Sequence, residues 1–189
     1  MEKTLSQHSS NCLKVVLFGP ESTGKTTLSR ALADHFGTLW VPEYARVYLQ
    51  NKWDSEQKTC ESSDMLPIAI GQMELENVAA SKTKELLFCD TNLLETKVYS
   101  EVYYDGYCDP IINYYAKKNF YNLYFLCDID IPWVADDLRD MPYERKKMFT
   151  AFEDALQKYK LPYVILSGSK SDRIKSAVNH INQLLTPKI

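Results

Sequence analysis

Several features that mark other classes of protein are missing from this chain of 189 residues. Its formal net charge is -3, with no excess of lysine and arginine, which argues against binding of nucleic acid through the phosphate backbone. The first residues, MEKTLSQHSSN, lack the apolar core of a signal peptide, and no stretch is long and apolar enough to span a bilayer. We therefore expect a cytoplasmic protein with no nucleic-acid or membrane partner.

Patterns typical of metal centres and disulfide scaffolds are also missing. The five cysteines are scattered, odd in number and never spaced as C-x-x-C, and the three histidines lie far apart. The thiols are therefore expected to be reduced. The chain has no internal repeat, and its content of 45% hydrophobic and 25% charged residues is that of an ordinary globular domain.

Short apolar runs alternate with helical patterns along the rest of the chain. The runs predict five strands, at 13–18, 38–41, 86–90, 122–129 and 163–167. Helices are predicted at 26–36, 43–50, 65–84, 148–159 and 171–185, with two more between the third and fourth strands, and a loop is predicted at 51–64. This alternation indicates an α/β fold with a parallel sheet covered on both faces. Residues 1–12 are predicted to be a flexible tail and residues 13–187 a single domain.

The first strand leads directly into GPESTGKTT, which fits the pattern G-x-x-x-x-G-K-[ST]. A loop of this kind points successive backbone N–H groups at phosphate oxygens, and the helix that follows adds its own unpaired N–H groups. We therefore expect Lys25 to reach the β- and γ-phosphates of a nucleotide and Thr26 to bind Mg²⁺. The residues assigned to the nucleotide in this loop are Gly19, Glu21, Ser22, Thr23, Gly24, Lys25, Thr26 and Thr27.

Two further patterns fit phosphoryl transfer. The apolar strand LLFCD ends in Asp90, a carboxylate that can hold Mg²⁺ or its waters beside the phosphate loop. The charged segment at about 131–147 carries Arg139 and Arg145 and is predicted to form a small lid. Lids close over substrate and bring arginines to the phosphates, so both arginines are candidate nucleotide contacts.

Glu43, directly after the second strand, has two interpretations. Either its carboxylate faces the acceptor hydroxyl and acts as a base, or it is a first-turn glutamate that only favours the helix dipole. The sequence pattern leaves both interpretations open.

The segments GPESTGKTTL, EYAR, IAIGQ, FCDTN and IPWVADDLRD together resemble the ribosylnicotinamide kinase domain of bacterial NadR proteins. The resemblance runs from about Leu13 to near the C-terminus. It implies a P-loop kinase fold: a three-layer sandwich with strand order 2-3-1-4-5, helices on both faces and a lid. It also implies that ATP and Mg²⁺ are used to phosphorylate the 5′-hydroxyl of nicotinamide riboside, giving nicotinamide mononucleotide.

The same resemblance suggests roles for individual residues. It places six at the nucleoside site: Glu43, Tyr44, Arg46, Gln72, Asn92 and Trp133. Asp90 would serve the metal or the hydroxyl, and Arg139 the phosphates. Together with Lys25 and Glu43, these two residues form the expected catalytic set.

The chain also departs from the family's pattern. Ala45 stands where the family has glycine in EYGR, and Asp137 stands where glycine is common in the lid. NadR proteins usually carry a nucleotidyltransferase domain before the kinase, and some carry a helix-turn-helix. Only a short segment precedes the phosphate loop here, so neither adenylylation nor operator binding is expected. Two alternatives remain: a kinase of another nucleoside or small metabolite, and an ATP-binding regulatory module without transfer activity.

Overall fold

The computed structural model describes residues 5–139 and 141–186, and its centre is a parallel sheet. Its five strands lie in the order β2-β3-β1-β4-β5, which confirms the predicted order. The strands are β1 (Leu13–Phe18), β2 (Leu39–Val41), β3 (Leu86–Asp90), β4 (Leu123–Cys127) and β5 (Tyr163–Leu166). Every residue of β3 and β4 is buried, because helices cover both faces of the sheet.

Seven α-helices surround the sheet within the described residues. They are α1 (Lys25–Phe36), α2 (Tyr44–Glu56), α3 (Met65–Lys82), α4 (Leu93–Tyr103), α5 (Pro110–Lys118), α6 (Arg145–Lys158) and α7 (Lys170–Leu185). Helices α1 and α7 cover one face through residues such as Leu28 and Ile181. Helices α3 to α6 cover the other face through residues such as Met73, Val98 and Phe152. None of the described helices is long and apolar enough to cross a membrane.

Helix α2 is longer than predicted. The polar segment at 51–64 was expected to be a loop, but α2 continues to Glu56 and a short 3₁₀ turn precedes α3. The polar residues that suggest a loop form ion pairs instead: Lys52 lies 2.6 Å from Asp64 and 2.8 Å from Glu61. These pairs tie the end of α2 to the start of α3.

The predicted lid at 131–147 is irregular over most of its length. Its described residues before 145 form no helix or strand, and Asp140 lies outside the described residues. Helix α6 begins at Arg145, slightly earlier than predicted, so the end of the segment belongs to the helix. The name lid is used below for residues 131–144.

The predicted tail packs against the domain. Leu5 is fully buried, and its carbonyl accepts a hydrogen bond from Asn119 Nδ2 at 3.1 Å. Gln7 Nε2 donates to Glu76 Oε1 at 2.8 Å, and the backbone N–H of His8 donates to Asn77 Oδ1 at 2.8 Å. The prediction of a flexible tail is therefore wrong for residues 5–12, because polar groups of α3 and the end of α5 bind a segment that looks polar in sequence. Residues 1–4 and the predicted domain end at 187 lie outside the described residues.

Candidate active site

A cleft of about 720 Å³ lies at the carboxyl ends of β1, β2 and β3, where ligands bind in open parallel sheets. Its walls come from the loop after β1 (residues 19–24, the P-loop), from α2, α3 and α4, and from the lid. The structure brings most of the predicted site residues into its lining: Glu21, Ser22, Thr23, Gly24, Lys25, Thr26, Thr27, Glu43, Arg46, Gln72, Asp90 and Arg139. Gly19, Tyr44, Asn92, Trp133 and Arg145 do not line it.

The P-loop needs both of its glycines. Gly19 has φ of +129°, and a Cβ at this position would lie 3.1 Å from the carbonyl oxygen of Cys127 on β4. Gly24 caps α1 with φ of +84°. Side chains rarely adopt such positive φ values, so glycine is the residue that suits both turns. The hydroxyl of Thr23 closes the loop by donating to the Pro20 carbonyl at 2.7 Å.

Lys25 is buried against the P-loop that carries it. Its Nζ donates to the carbonyl oxygens of Gly19 at 2.7 Å and Pro20 at 2.9 Å, and it lies 3.1 Å from Glu95 Oε1. Burial alone would lower the pKa of Lys25, but the charges of Glu95, Glu43 and Asp90 outweigh it and raise the pKa. The lysine therefore stays positively charged on the floor of the cleft.

Asp90 is a buried carboxylate at the end of β3. Neither of its oxygens has a well-formed hydrogen bond among the described residues. Burial, followed by the charge of Glu43, raises its pKa to about 7, although Lys25 and the neighbouring Thr26 hydroxyl pull it down. Leaving a buried carboxylate without a partner is unfavourable, so this site is built to receive a cation or a proton.

The donor set at Asp90 and Thr26 fits Mg²⁺. This ion binds oxygen ligands, and in phosphoryl-transfer sites it takes one or two from protein and the rest from phosphates and water. Among residues 5–139 and 141–186, no group of three or more histidine, cysteine, aspartate or glutamate side chains could hold a metal ion. A metal at this site would therefore depend on nucleotide oxygens.

Glu43 lies at the N-terminus of α2, at the corner after β2. Its side chain makes no capping hydrogen bond, and it lines the cleft. The corner is held by Gln72 on α3, whose Oε1 accepts from the Tyr44 N–H at 2.8 Å and whose Nε2 donates to the Pro42 carbonyl at 3.3 Å. The Tyr44 ring lies against Gly71, where a Cβ would come within 2.2 Å of it. The EYAR and IAIGQ segments thus fit together and aim Glu43 into the cleft, while Tyr44 packs outside it.

The lid and α2 meet through one carboxylate. Arg46 on α2 donates to Asp136 of the lid through both terminal nitrogens, with Nη1 to Oδ1 at 3.2 Å. Arg139 Nε lies 3.1 Å from Asp136 Oδ2, and its Nη1 donates to the Val134 carbonyl at 2.6 Å. Both arginines face the cleft. Asp136 therefore holds two cations at the point where the lid meets α2.

Trp133 and Arg145 tether the lid to the P-loop. Trp133 Nε1 donates to Glu21 Oε1 at 2.9 Å. Arg145 Nη1 donates to the Ile131 carbonyl at 2.8 Å, and its Nη2 reaches the Ser22 carbonyl at 3.4 Å. Burial lowers the pKa of Arg145. Neither side chain lines the cleft, and the hydrogen bond of Trp133 anchors the lid to the P-loop; its place at the nucleoside site stays a prediction.

Asn92 makes structural contacts within the fold, and its contact with a sugar stays a prediction. It caps α4 by accepting from the Glu95 N–H at 3.2 Å, and its Nδ2 donates to the Tyr124 hydroxyl at 3.1 Å. The residue is fully buried and does not line the cleft. An asparagine directly before a helix is a common N-cap, and that signal was present in the sequence.

Three features of the site were missed in the sequence. Glu95 contacts Lys25 from the first turn of α4. An aromatic wall lines the cleft with Trp40, Tyr99, Tyr103 and Tyr104. Arg173 on α7 is only 2% exposed, and its guanidinium donates to the carbonyls of Thr23 at 2.9 Å, Asp128 at 3.1 Å and Gly168 at 3.1 Å. The spacing of Tyr99 and Tyr103, which places them on one helix face, is the signal that was available for the wall.

These features define a P-loop nucleotide-binding protein with the fold of the small-molecule kinases. The model of a family described as AAA domain (AAA_28) matches residues 14–173, and the chain belongs to this family.

The chain is similar in sequence or in structure to several known proteins. The chain is 28% identical over 160 residues to the "Trifunctional NAD biosynthesis/regulator protein NadR" of Salmonella typhimurium, covering 84% of this chain and 39% of that protein. A crystal structure of NadR protein in complex with NR superimposes with a TM-score of 0.76 at 22% identity, covering 95% of this chain and 52% of the other. Deoxyadenosine kinase from M. mycoides superimposes with a TM-score of 0.66 at 15% identity, covering 90% of this chain and all of the other. The chain thus spans about two fifths of the length of the curated relative and about half of the solved NadR chain.

Proposed function

We propose that this protein phosphorylates nicotinamide riboside with ATP and gives nicotinamide mononucleotide, in the cytoplasm. The observation that carries the proposal is the meeting of Glu43, Asp90 and Lys25 in one cleft, from three separate segments of the chain. A phosphate-binding lysine and two carboxylates are what transfer to a hydroxyl requires.

The nucleotide side of the proposal rests on the P-loop. Its backbone N–H groups and Lys25 would hold the phosphates, and Arg139 would add positive charge from the lid. Asp90 and Thr26 would hold Mg²⁺, which neutralises charge on the phosphates when it is bound. The chain's own contribution is therefore to fix the phosphoryl group and to surround it with positive charge.

The acceptor side of the proposal rests on Glu43. A loose phosphoryl-transfer transition state asks little of a base, so positioning the hydroxyl matters more than early removal of its proton. Glu43 lines the cleft without a hydrogen bond to the helix it precedes, which supports this role. The carboxylates also suit a substrate whose pyridinium ring is cationic, and the aromatic wall can contact such a ring. The similarity to NadR, one structure of which is a complex with NR, supports the choice of substrate.

Direct assay of product tests the proposal. The purified protein is incubated with ATP, Mg²⁺ and nicotinamide riboside, and nicotinamide mononucleotide is measured by chromatography, with uridine and deoxyadenosine as competing acceptors. We expect preferential turnover of nicotinamide riboside. Preferential turnover of a neutral nucleoside would identify a different kinase. Tight nucleotide binding without turnover of any acceptor would identify a regulatory module.

A further inference from the structure

Glu95 is the second buried carboxylate in the cleft, and the function proposed above gives it no task. Its exposure is 2% and it lines the cleft; among the described residues its Oε1 has Lys25 Nζ at 3.1 Å, whereas its Oε2 has no hydrogen-bond donor. Burial raises its pKa to about 8, while the nearby Lys25 pulls it down. A buried carboxylate oxygen without a donor is unfavourable, and a donor from a ligand or from water would relieve that cost.

Among the described residues Glu95 forms an ion pair with Lys25, which is expected to move to the phosphates when nucleotide binds. Lys25 Nζ lies 3.1 Å from Glu95 Oε1 and donates to two P-loop carbonyls. A lysine in this position of a P-loop binds the phosphates when nucleotide is present. Nucleotide and Glu95 therefore compete for the same ammonium group, and its transfer to phosphate leaves the carboxylate buried beside a second negative charge.

Glu95 also shares the cleft with Glu43, the residue that the proposed function assigns to the acceptor. Glu43, Asp90 and Lys25 line the same cleft, and the charges of the two carboxylates act on Glu95. Glu43 is partly exposed, whereas Glu95 is buried on the cleft floor. A hydroxyl donor is the partner that would satisfy the released carboxylate without adding charge.

We propose that Glu95 exchanges partners during the binding cycle: it holds Lys25 in the nucleotide-free protein, and once phosphate takes the lysine it accepts a hydrogen bond from a ribose hydroxyl of the acceptor. This inference rests on the proposed function for its second half only. Its consequence is that nucleotide prepares the acceptor site, and by linkage the acceptor tightens nucleotide by the same factor.

The first half is tested by nucleotide binding alone. Calorimetric titration with AMP-PNP and Mg²⁺ at about pH 9, where a carboxyl group with a pKa of about 8 is ionised, compares the wild type with Glu95→Gln and Glu95→Met, which both remove the competing charge. We expect both variants to bind AMP-PNP about tenfold more tightly than the wild type. Glu101→Met is the matched control on the same helix, because Glu101 pairs with Lys97 outside the cleft; its affinity should equal that of the wild type. Unchanged or weaker nucleotide binding in both Glu95 variants would overturn the exchange.

The second half is tested by titrating nicotinamide riboside with and without saturating AMP-PNP. In the wild type we expect AMP-PNP to increase the affinity for nicotinamide riboside by about tenfold. Glu95→Met has no acceptor atom of comparable strength and should reduce this factor to near one, and Glu95→Gln should restore part of it. A merely structural role for Glu95 would lower thermal stability and leave the factor intact, and an intact factor in Glu95→Met contradicts the hydroxyl contact.

The two arms separate this inference from the proposed function. If nicotinamide riboside binds the wild type under neither condition, the proposed function and the hydroxyl contact both fail. The AMP-PNP titration still tests whether Lys25 exchanges partners, and tighter binding of AMP-PNP by the Glu95 variants would support the exchange. Should Glu95→Met fail to fold, Glu95→Gln carries both arms, because it keeps the shape of the side chain.

Discussion

The two walls of the cleft are attached to the rest of the molecule in different ways. The proposed function assigns the nucleotide to the wall formed by the P-loop, here called the nucleotide wall, and the acceptor to the wall formed by α2, here called the acceptor wall. On the nucleotide wall, Thr23 is fixed by a hydrogen bond to Pro20 and by the buried guanidinium of Arg173. On the acceptor wall, α2 has no buried residue and is held through Gln72 at one end and Lys52 at the other. The first wall is part of the core, and the second is fastened to its surface by polar contacts.

This difference separates two tasks. A rigid phosphate site keeps the reacting group in place, which is where phosphoryl transfer gains most of its rate. A wall fastened by a few polar contacts can open at a low free-energy cost, as elements that admit substrate must. Ala45 and Asp137 are the two positions at which the sequence departs from the pattern of NadR kinase domains. Both line the cleft, Ala45 from α2 and Asp137 from the lid. We therefore expect substitutions in the nucleotide wall to abolish catalysis and those in the acceptor wall to alter preference.

The largest effect is expected at Lys25. Lys25→Ala should lower kcat by about three orders of magnitude or more, because charge stabilisation of the transferred group is lost. The measurement is the steady-state rate of product formation, with the melting temperature recorded in parallel. Arg30→Ala, at an exposed position on the same helix, is the matched control and should leave kcat unchanged. Turnover near the wild-type rate in Lys25→Ala would contradict the assignment of the P-loop.

Glu43 is the test of the acceptor wall. Glu43→Gln keeps the shape but removes the charge, and we expect kcat/KM for nicotinamide riboside to fall by about ten- to a hundredfold with nucleotide binding intact. Turnover of uridine, a neutral nucleoside, distinguishes selection of a cationic substrate from positioning or base catalysis. A loss confined to nicotinamide riboside indicates selection of a cation, whereas an equal loss with uridine indicates positioning or base catalysis. Wild-type turnover would leave Glu43 as a first-turn glutamate.

Arg139 tests whether the lid belongs with the nucleotide wall. Arg139→Lys keeps the charge but loses the forked donor set, so we expect kcat to fall about tenfold with little change in nucleoside affinity. The control is Lys147→Arg, which replaces lysine by arginine at an exposed position near the start of α6 and should leave kcat unchanged. A fall in nucleoside affinity at constant kcat would place Arg139 with the acceptor wall.

The smallest effect is expected in the dependence of the melting temperature on pH. Asp90 and Glu95 have pKa values raised to about 7 and about 8, from ordinary values of 3.8 and 4.5. A carboxyl group with a raised pKa binds its proton more tightly when folded, so the free energy of unfolding falls as pH rises from the unfolded pKa to the folded one. We expect the melting temperature of the ligand-free protein to fall by roughly a few degrees between about pH 5 and pH 8. Glu95→Gln should flatten the upper part of that decline, and a melting temperature that rises over this interval would contradict the raised values.

The nucleotide wall was predictable because its signals are local. The P-loop pattern, the strand before it and the helix after it occupy one continuous segment, and backbone geometry fixes Gly19 and Gly24 from within that segment. Asp90 was predictable for a similar reason, since a carboxylate ending a buried strand beside β1 reaches the same edge of the sheet.

The acceptor wall and the supports of the P-loop depend on contacts distant in sequence. Arg173 binds a carbonyl 150 positions away, and its own helix has an ordinary amphipathic pattern. Glu95 looks like a glutamate that favours the helix dipole, because its contact with Lys25 exists only after β1 and β3 pair. Asn92 and Trp133 were assigned through a family motif, which indicates proximity to the site but not the atoms that each side chain contacts.

The segment at residues 5–12 determines where this domain can be joined to another protein. The carboxylate of Glu76 lies inside the fold and receives hydrogen bonds from Gln7, Lys14 and Tyr121. A fusion that starts at Leu13 would remove one of these donors, open the carboxylate to water and uncover the site that Leu5 fills. A domain transplanted without those eight residues would therefore tend to aggregate during expression, whereas a junction that retains them would keep these contacts.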